Sequence, residues 1–429
     1  MIYIYSKNIT NRLVYTFEVI FKHILKTDFQ LVDKSYFLSL SDVPKVNYSE
    51  EPIADTIWIK PHSLLFESEI FNQNIEVTYF QECPYFFRTS KDAELPYDLF
   101  ASTFYLLSRY EEYLDFKPDV HGRFSSQESL AFKTNFLHLP VVHLWTEKLK
   151  VEILKNIPSY QFPIPRFKKL NTIDIDIAYA YKGKPFFRQV GGIVKSIVQF
   201  DYKEIGSRIK YYFTGKDPYD TYSYIEQIAE ISKLDTYFFL QMGNYGLFDK
   251  NIPINKTLIK LIKRLSFIGK IGIHLSYESN NNKLEIPVEI EKLEKVLSQK
   301  ITENRQHFLK LKFPETYENL IENGIKTDFT LGFADEIGFR AGICVPFPFF
   351  NLVSNSKRPL TLIPFQIMDG TLHDYKKYTK EEAIEKSKAI IKSVENVNGL
   401  FVSIFHNSSL LDKDEWEGWR VVYEAIIKV

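Results

Sequence analysis

Residues 170–178 read LNTIDIDIA, a run with strand character that carries two aspartates two positions apart. Side chains alternate across a strand, so Asp174 and Asp176 point to the same side. Two carboxylates placed in this way repel unless something positive sits beside or between them. A divalent cation on Asp176, with Asp174 as a neighbouring base, resolves that repulsion. For the D-x-D alone, helix capping or loop hydrogen bonding is an equal alternative.

From Leu170 onward the chain alternates. Strands are expected at 170–176, 235–241, 270–274, 304–309, 326–330, 361–367 and 400–406. Helices are expected at 220–232, 255–266, 284–299, 314–323, 380–397 and 413–428. Seven β/α units imply a parallel sheet, either open and doubly wound or a closed or nearly closed barrel. Both arrangements gather active residues at the C-terminal ends of the strands. Those ends carry Asp174 and Asp176, His274, Arg305 with His307, Asp369 and His406 with Asn407. Four of the nine histidines fall in this half, and three of the four end an expected strand. Carboxylates and imidazoles together suit zinc first, and iron, cobalt or nickel next. The remaining histidine of this half, His373, reads as incidental.

The first ~165 residues differ in texture. Short strand candidates (TIWIKP, EVTYFQ) precede helices at LPYDLFASTFYLLSRYEEYLDF and PVVHLWTEKLKVEILKNI, and an amphipathic helix spans Leu13 to Leu25. PSYQFPIPRFKK, with three prolines, reads as a linker. The expected division is therefore a smaller α+β domain over 1–165 and the β/α domain over 166–429. Arg109, Glu111 and Glu112 read as a solvated helix face or salt bridges, and His121 and Arg123 as a turn or part of an interdomain cleft.

The chain of 429 residues has 54 Lys and Arg against 54 Asp and Glu, so charge does not favour nucleic acid as a partner. Two cysteines, Cys83 and Cys344, define neither a disulfide framework nor a zinc ribbon. No window reaches the roughly 18 apolar residues of a membrane span, and the N-terminus lacks the features of a secretory signal. The expected location is cytoplasmic.

TIDID, GIHLSY, RQHFLK, MDGTL and FVSIFHN, in that order, resemble the motifs of the polysaccharide deacetylase family, the NodB homology domain of carbohydrate esterase family four. The resemblance covers roughly 168–429. LLSRYEEYL, HGRF, YKGK and GFRAG look typical of a divergent bacterial subfamily with an uncharacterised N-terminal domain. It implies a distorted (β/α)7 barrel and a metal-dependent hydrolase that removes N- or O-acetyl groups from a carbohydrate. By the same resemblance, Asp174 matches the catalytic base, Asp176 and His274 metal ligands, and Arg305 the arginine that orients the base. Asp369 matches the residue that tunes the catalytic histidine, and His406 the general acid.

Two departures stand out. Ile175 separates aspartates that are adjacent in the family, and Glu278 stands where the second metal-binding histidine of H-x-x-x-H would be. Either Glu278 or His307 must supply the third ligand, and His307 is favoured because it restores one Asp and two His. Arg340 in GFRAG is expected either to contact an anionic group of the substrate or to hold its own loop. Tyr277 and Tyr179 (with Tyr181) line a sugar subsite or pack within loops. Competing with the hydrolase are a degenerate, glycan-binding or scaffold member and a metal-free glycoside hydrolase. The last is weak, because two carboxylates on one strand do not flank a bond.

Overall fold

The computed structural model describes residues 1–80 and 82–428. In the N-terminal half, β1 (Ile2–Ser6), β2 (Phe29–Val32), β3 (Lys45–Tyr48) and β4 (Ile57–Trp58) form a sheet in the order β2-β1-β3-β4. All of its pairs are parallel, so this half has α/β character where α+β was expected. A hairpin of β5 (Thr78–Phe80) and β6 (Cys83–Tyr85) follows. The helix of the first turn runs from Asn11 through Ile24, and helices at Leu99–Leu107 and Val141–Asn156 lie where periodicity places them.

The C-terminal half is built on β7 (Lys168–Ile175), β8 (Asp235–Gln241), β9 (Lys270–Leu275), β10 (Glu303–Gln306), β11 (Thr327–Asp328), β12 (Phe347–Asn351), β13 (Ser356–Leu362), β14 (Ile367–Met368) and β15 (Leu400–His406). Their order is β12-β13-β11-β10-β9-β8-β7-β15-β14, parallel except for the β12–β13 pair.

The sheet is strongly curled. β7 and β10 are three strand spacings apart, about 14 Å in a flat sheet. Yet Arg305 Nη1 on β10 lies 2.6 Å from Asp174 Oδ1 and 2.8 Å from Thr172 Oγ1 on β7. Alternation then divides the side chains into two sets. Ile173 and Ile175, Phe238 and Leu240, and Phe401 and Phe405 join the main core against the helices. Leu170, Tyr237, Phe239, Phe329, Val402 and Ile404 fill the concave interior as a separate apolar cluster. Gly272 faces this interior, and a Cβ there would fall 2.5 Å from the Phe239 ring. Above the apolar cluster, at the C-terminal ends of the strands, the inward positions become polar.

The strand ladder does not close into a ring. The strand expected at 361–367 breaks at Pro364, which has no N–H to give to a ladder. The crossing segment makes single backbone bonds instead, from Ile363 to Asp328 and Phe365 to Leu331 on one side and from Gln366 to Val402 on the other. Three helices, Phe186–Val198, Tyr202–Thr214 and Tyr222–Ser232, separate β7 from β8, where one was expected.

The halves share one continuous core. Phe350 packs against Tyr15 and Phe104, with ring centroids 4.9 and 5.1 Å apart. Arg109 and Arg340 flank a buried carboxylate. Arg109 Nε donates to Glu112 Oε1 at 2.7 Å, and Arg340 donates to both Glu112 oxygens at 2.9 and 2.6 Å. Arg109, Glu111 and Glu112 are therefore buried, not a solvated face. Among the described residues, no helix is long and apolar enough to cross a membrane.

Candidate metal centre

β7 brings Asp174 and Asp176 to the mouth of the curled sheet, at a cleft of about 300 Å³ also lined by His274, His307, Asp369 and His406. Burying polar groups on this strand is offset by specific bonds. Thr172 donates to Ser403 O at 2.6 Å and Asn171 to the Tyr423 hydroxyl at 2.9 Å. Asp174 is almost fully buried, and its Oδ1 accepts from the Arg305 guanidinium.

Asp176 stands among three imidazoles. Its Oδ1 is 3.1 Å from His274 Nε2, and its Oδ2 is 3.4 Å from His307 Nε2 and 3.6 Å from His406 Nε2. The other ring nitrogens fix the tautomers. His274 Nδ1 is 2.8 Å from the Arg305 carbonyl, which only accepts, so Nδ1 carries the hydrogen. His307 Nδ1 is 2.8 Å from Asp249 Oδ1. Both Nε2 atoms are thereby left to face the carboxylate of Asp176.

Asp176, His274 and His307 each offer one ligand atom, and these atoms lie within 4.8 Å of one another. Asp176 Oδ1 is buried and has no hydrogen-bond partner, which a cation would supply. One carboxylate and two imidazoles, each imidazole oriented by a hydrogen bond behind it, fit a divalent ion of the zinc type. Without a cation, burial would favour neutral imidazoles, but Asp176 and Asp249 outweigh it and push His307 up to about 9. The same imidazoles, against the opposing effect of burial, hold the Asp176 carboxyl well below the usual carboxylate range.

On the next strand, His406 Nδ1 is 2.8 Å from Asp369 Oδ1, and its backbone N–H donates to Asp369 Oδ2 at 2.7 Å. Ser409 and Gly370 also donate to Asp369. Burial opposes the charged imidazole, yet Asp369 and then Asp176 push His406 up to about 10.

His307 reaches the site by a route the sequence does not show. β10 stops at Gln306, and His307–Leu309 form a tight turn with Phe308 and Leu309 at φ of 59° and 52°. Glu278 is exposed and sits near Asn281, outside the ligand set. Arg340 is fully engaged by Glu112 and the Gly332 carbonyl at 2.8 Å, so it holds its loop and does not enter the cleft. Tyr179 is buried against Tyr222. The Tyr277 ring packs with Phe248 and Phe308 beside the site, while its backbone N–H donates to Asp249 at 2.9 Å. The two tyrosines lie outside the cleft lining.

Four contributors escaped the sequence reading. Asp249, in the loop after β8, orients His307. Trp416, Tyr375 and Ser409 line the cleft. Only proximity in the fold reveals Asp249, because nothing in its local sequence marks it. Arg123, from the N-terminal half, also lines the cleft. It donates to the Phe308 carbonyl at 2.7 Å and to the Tyr375 hydroxyl at 3.1 Å. It thus ties the turn that carries His307 to the N-terminal half.

A family model described as "Family of unknown function (DUF7033)" matches residues 2–158. No curated protein matches the chain. Among solved structures, one described as "Crystal structure of putative polysaccharide deacetylase from Mycobacterium smegmatis" is similar over 62% of this chain and 85% of that one. Its TM-score is 0.41 and its sequence identity 14%.

Proposed function

We propose that the protein is a metal-dependent hydrolase that removes acetyl groups, N- or O-linked, from a carbohydrate. The observation that carries this reading is the convergence of Asp176, His274 and His307 on one point, beside a buried carboxylate and an imidazole paired with its own aspartate. The ordered motifs that resemble polysaccharide deacetylases support the choice of reaction. The curled sheet with its active end at the strand C-termini is then a distorted (β/α)7 barrel, and the domain boundary falls near residue 165.

Asp176, His274 and His307 would hold the ion, zinc before iron, cobalt or nickel. A divalent ion there supplies Lewis-acid stabilisation of an acyl oxygen and acidifies water. Asp174 takes the proton from the attacking water. Arg305 positions Asp174 by binding Oδ1, leaving Oδ2 for the proton. Oδ2 is 3.8 Å from His274 Nε2. His406, kept protonated by Asp369, donates from Nε2 to the departing sugar amine or hydroxyl as the C–N or C–O bond breaks. The acid and the base are thus separate groups: Asp369 keeps His406 charged, and Arg305 fixes the position of Asp174.

The test is metal content and acetate release, measured on protein purified without chelators or a histidine tag. About one ion per chain is expected, lost in Asp176→Ala and His307→Ala and retained in Glu278→Ala. Acetate release from acetylated oligosaccharides should vanish in Asp174→Asn while the ion stays bound. Protein that takes up no ion even after reconstitution would overturn the hydrolase and leave a glycan-binding role in its place.

A further inference from the structure

The crossover from β7 to β8 carries two helices whose amphipathicity is inverted. On Phe186–Val198, the polar side turns toward the second helix and the loop at Asn251. Ser196 is its only buried residue, Gln189 accepts from the Tyr212 hydroxyl at 2.7 Å, Gly192 lies against the Arg208 guanidinium, and Arg188 donates to the Asn251 carbonyl at 3.3 Å. The apolar side, a single stripe at helical spacing, faces solvent. Phe186, Phe187, Val194 and Val198 are 82%, 73%, 54% and 70% exposed. Tyr202–Thr214 buries no residue at all, and Phe213 is 88% exposed. Surface helices of globular proteins turn such a stripe to the core. Here none of these residues joins or packs on either hydrophobic cluster. Contiguous exposed apolar surface of this kind marks an interaction site.

Charge identifies the occupant. Residues 184–216 hold seven Lys or Arg (Lys184, Arg188, Lys195, Lys203, Arg208, Lys210, Lys216) against two acids, Asp201 and Glu204, an excess of five on a chain whose total charge is zero. Lys195, Lys203 and Lys210 are exposed beside the apolar residues. A second copy docking through the same face would set these cations against each other. An anionic bilayer surface instead accepts the apolar stripe into its acyl boundary and the lysines at its phosphates.

We propose that residues 186–214 form an interfacial anchor that docks the protein on anionic lipid membranes without crossing them. The hairpin leaves the sheet from the C-terminal end of β7, the end that carries the candidate metal centre. The proposal stands apart from the hydrolase reading, since it requires neither metal nor catalysis.

The test is co-sedimentation of the full chain with vesicles of phosphatidylcholine alone, or with about one quarter phosphatidylglycerol, at about 0.1 and 0.5 M salt. Binding is expected to the anionic vesicles only and to weaken in the higher salt. Phe187→Ser with Phe213→Ser should abolish it. Lys195→Gln, Lys203→Gln and Lys210→Gln together should weaken it by about a hundredfold, as three charges removed near an anionic surface require. All five side chains are exposed, so the variants should keep the wild-type melting temperature. Three results would each overturn the anchor: no vesicle binding by wild type, equal binding by the variants, or a dimer in sedimentation equilibrium that Phe187→Ser with Phe213→Ser dissociates.

Discussion

Asp249 offers the sharpest test of the metal centre, because it is not among the residues expected from the sequence and reaches the centre through His307. Its Oδ1 takes three bonds, from His307 Nδ1 at 2.8 Å, Gln241 Nε2 at 2.6 Å and the Tyr277 N–H at 2.9 Å. Asp249→Asn keeps an oxygen that can accept all three but removes the negative charge that makes the imidazole a better donor to a cation. Asp249→Ala removes the oxygen as well and frees the ring to rotate. Partners behind a metal-bound histidine are worth about 10- to 100-fold in metal affinity. The asparagine variant is therefore expected near the tenfold end, about 1.4 kcal/mol, and the alanine variant near the hundredfold end, about 2.7 kcal/mol. Competition of Zn²⁺ or Co²⁺ between the protein and a chromophoric chelator measures both. Affinity unchanged in Asp249→Ala, while Asp176→Ala abolishes binding, would show that His307 is not a ligand.

Other expectations follow from particular environments. Burial pushes His143 down to about 3, and its Nε2 accepts from the Cys344 N–H at 3.2 Å. The neutral ring is the folded form, so its contribution is complete above the unfolded pKa near 6.5 and is lost as pH falls from there toward 3. By pH 5 the loss is about 2 kcal/mol. In urea unfolding at pH 7.5 and 5, His143→Gln, which does not titrate, should lose that much less. Arg340→Met leaves Glu112 facing Arg109 alone, and breaking such a buried pair costs about 3–5 kcal/mol. A raised KM with unchanged stability would instead make Arg340 a substrate contact. Gly338 has φ of +130°, and a Cβ there would meet the Leu137 carbonyl at 2.4 Å. Gly338→Ala should therefore destabilise by at least about 1–3 kcal/mol, visible as a lower melting temperature.

The sheet was legible where one signal dominated. β8 and β15 occupy the expected 235–241 and 400–406 because alternating large apolar residues there serve two buried faces at once. Asp174, Asp176, His274 and His406 could be placed because each sits at or just beyond such a strand end. The crossover after β7 was not legible, since one helix per strand is the simplest reading and three helices fill that gap. The strand at 361–367 hid its break at Pro364 inside an apolar run. His307 was favoured as the third ligand because it restores one Asp and two His, a reason that says nothing of the backbone. Strand alternation alone puts it on the same side as Arg305, but β10 ends first, and a left-handed turn held by Arg123 delivers the ring. Asp249 is a contact across a long stretch of chain that no local pattern encodes, and although HGRF marked Arg123 as a turn or cleft residue, nothing local marked its partners Phe308 and Tyr375.

The core shared by the two halves bears on how the chain is made. Arg12 is buried against the Leu64 and Glu69 carbonyls, but its Nε finds Asn355, and Tyr15, which meets Phe104 within its own half, finds its nearer ring partner in Phe350. At a synthesis rate of about 5–20 residues per second, those partners emerge some 20–70 s after the residues that need them. Through that interval the first helix carries unmatched aromatic surface and a guanidinium short of one acceptor. The nascent N-terminal half thus leaves part of its apolar surface uncovered until the residues around Phe350 arrive.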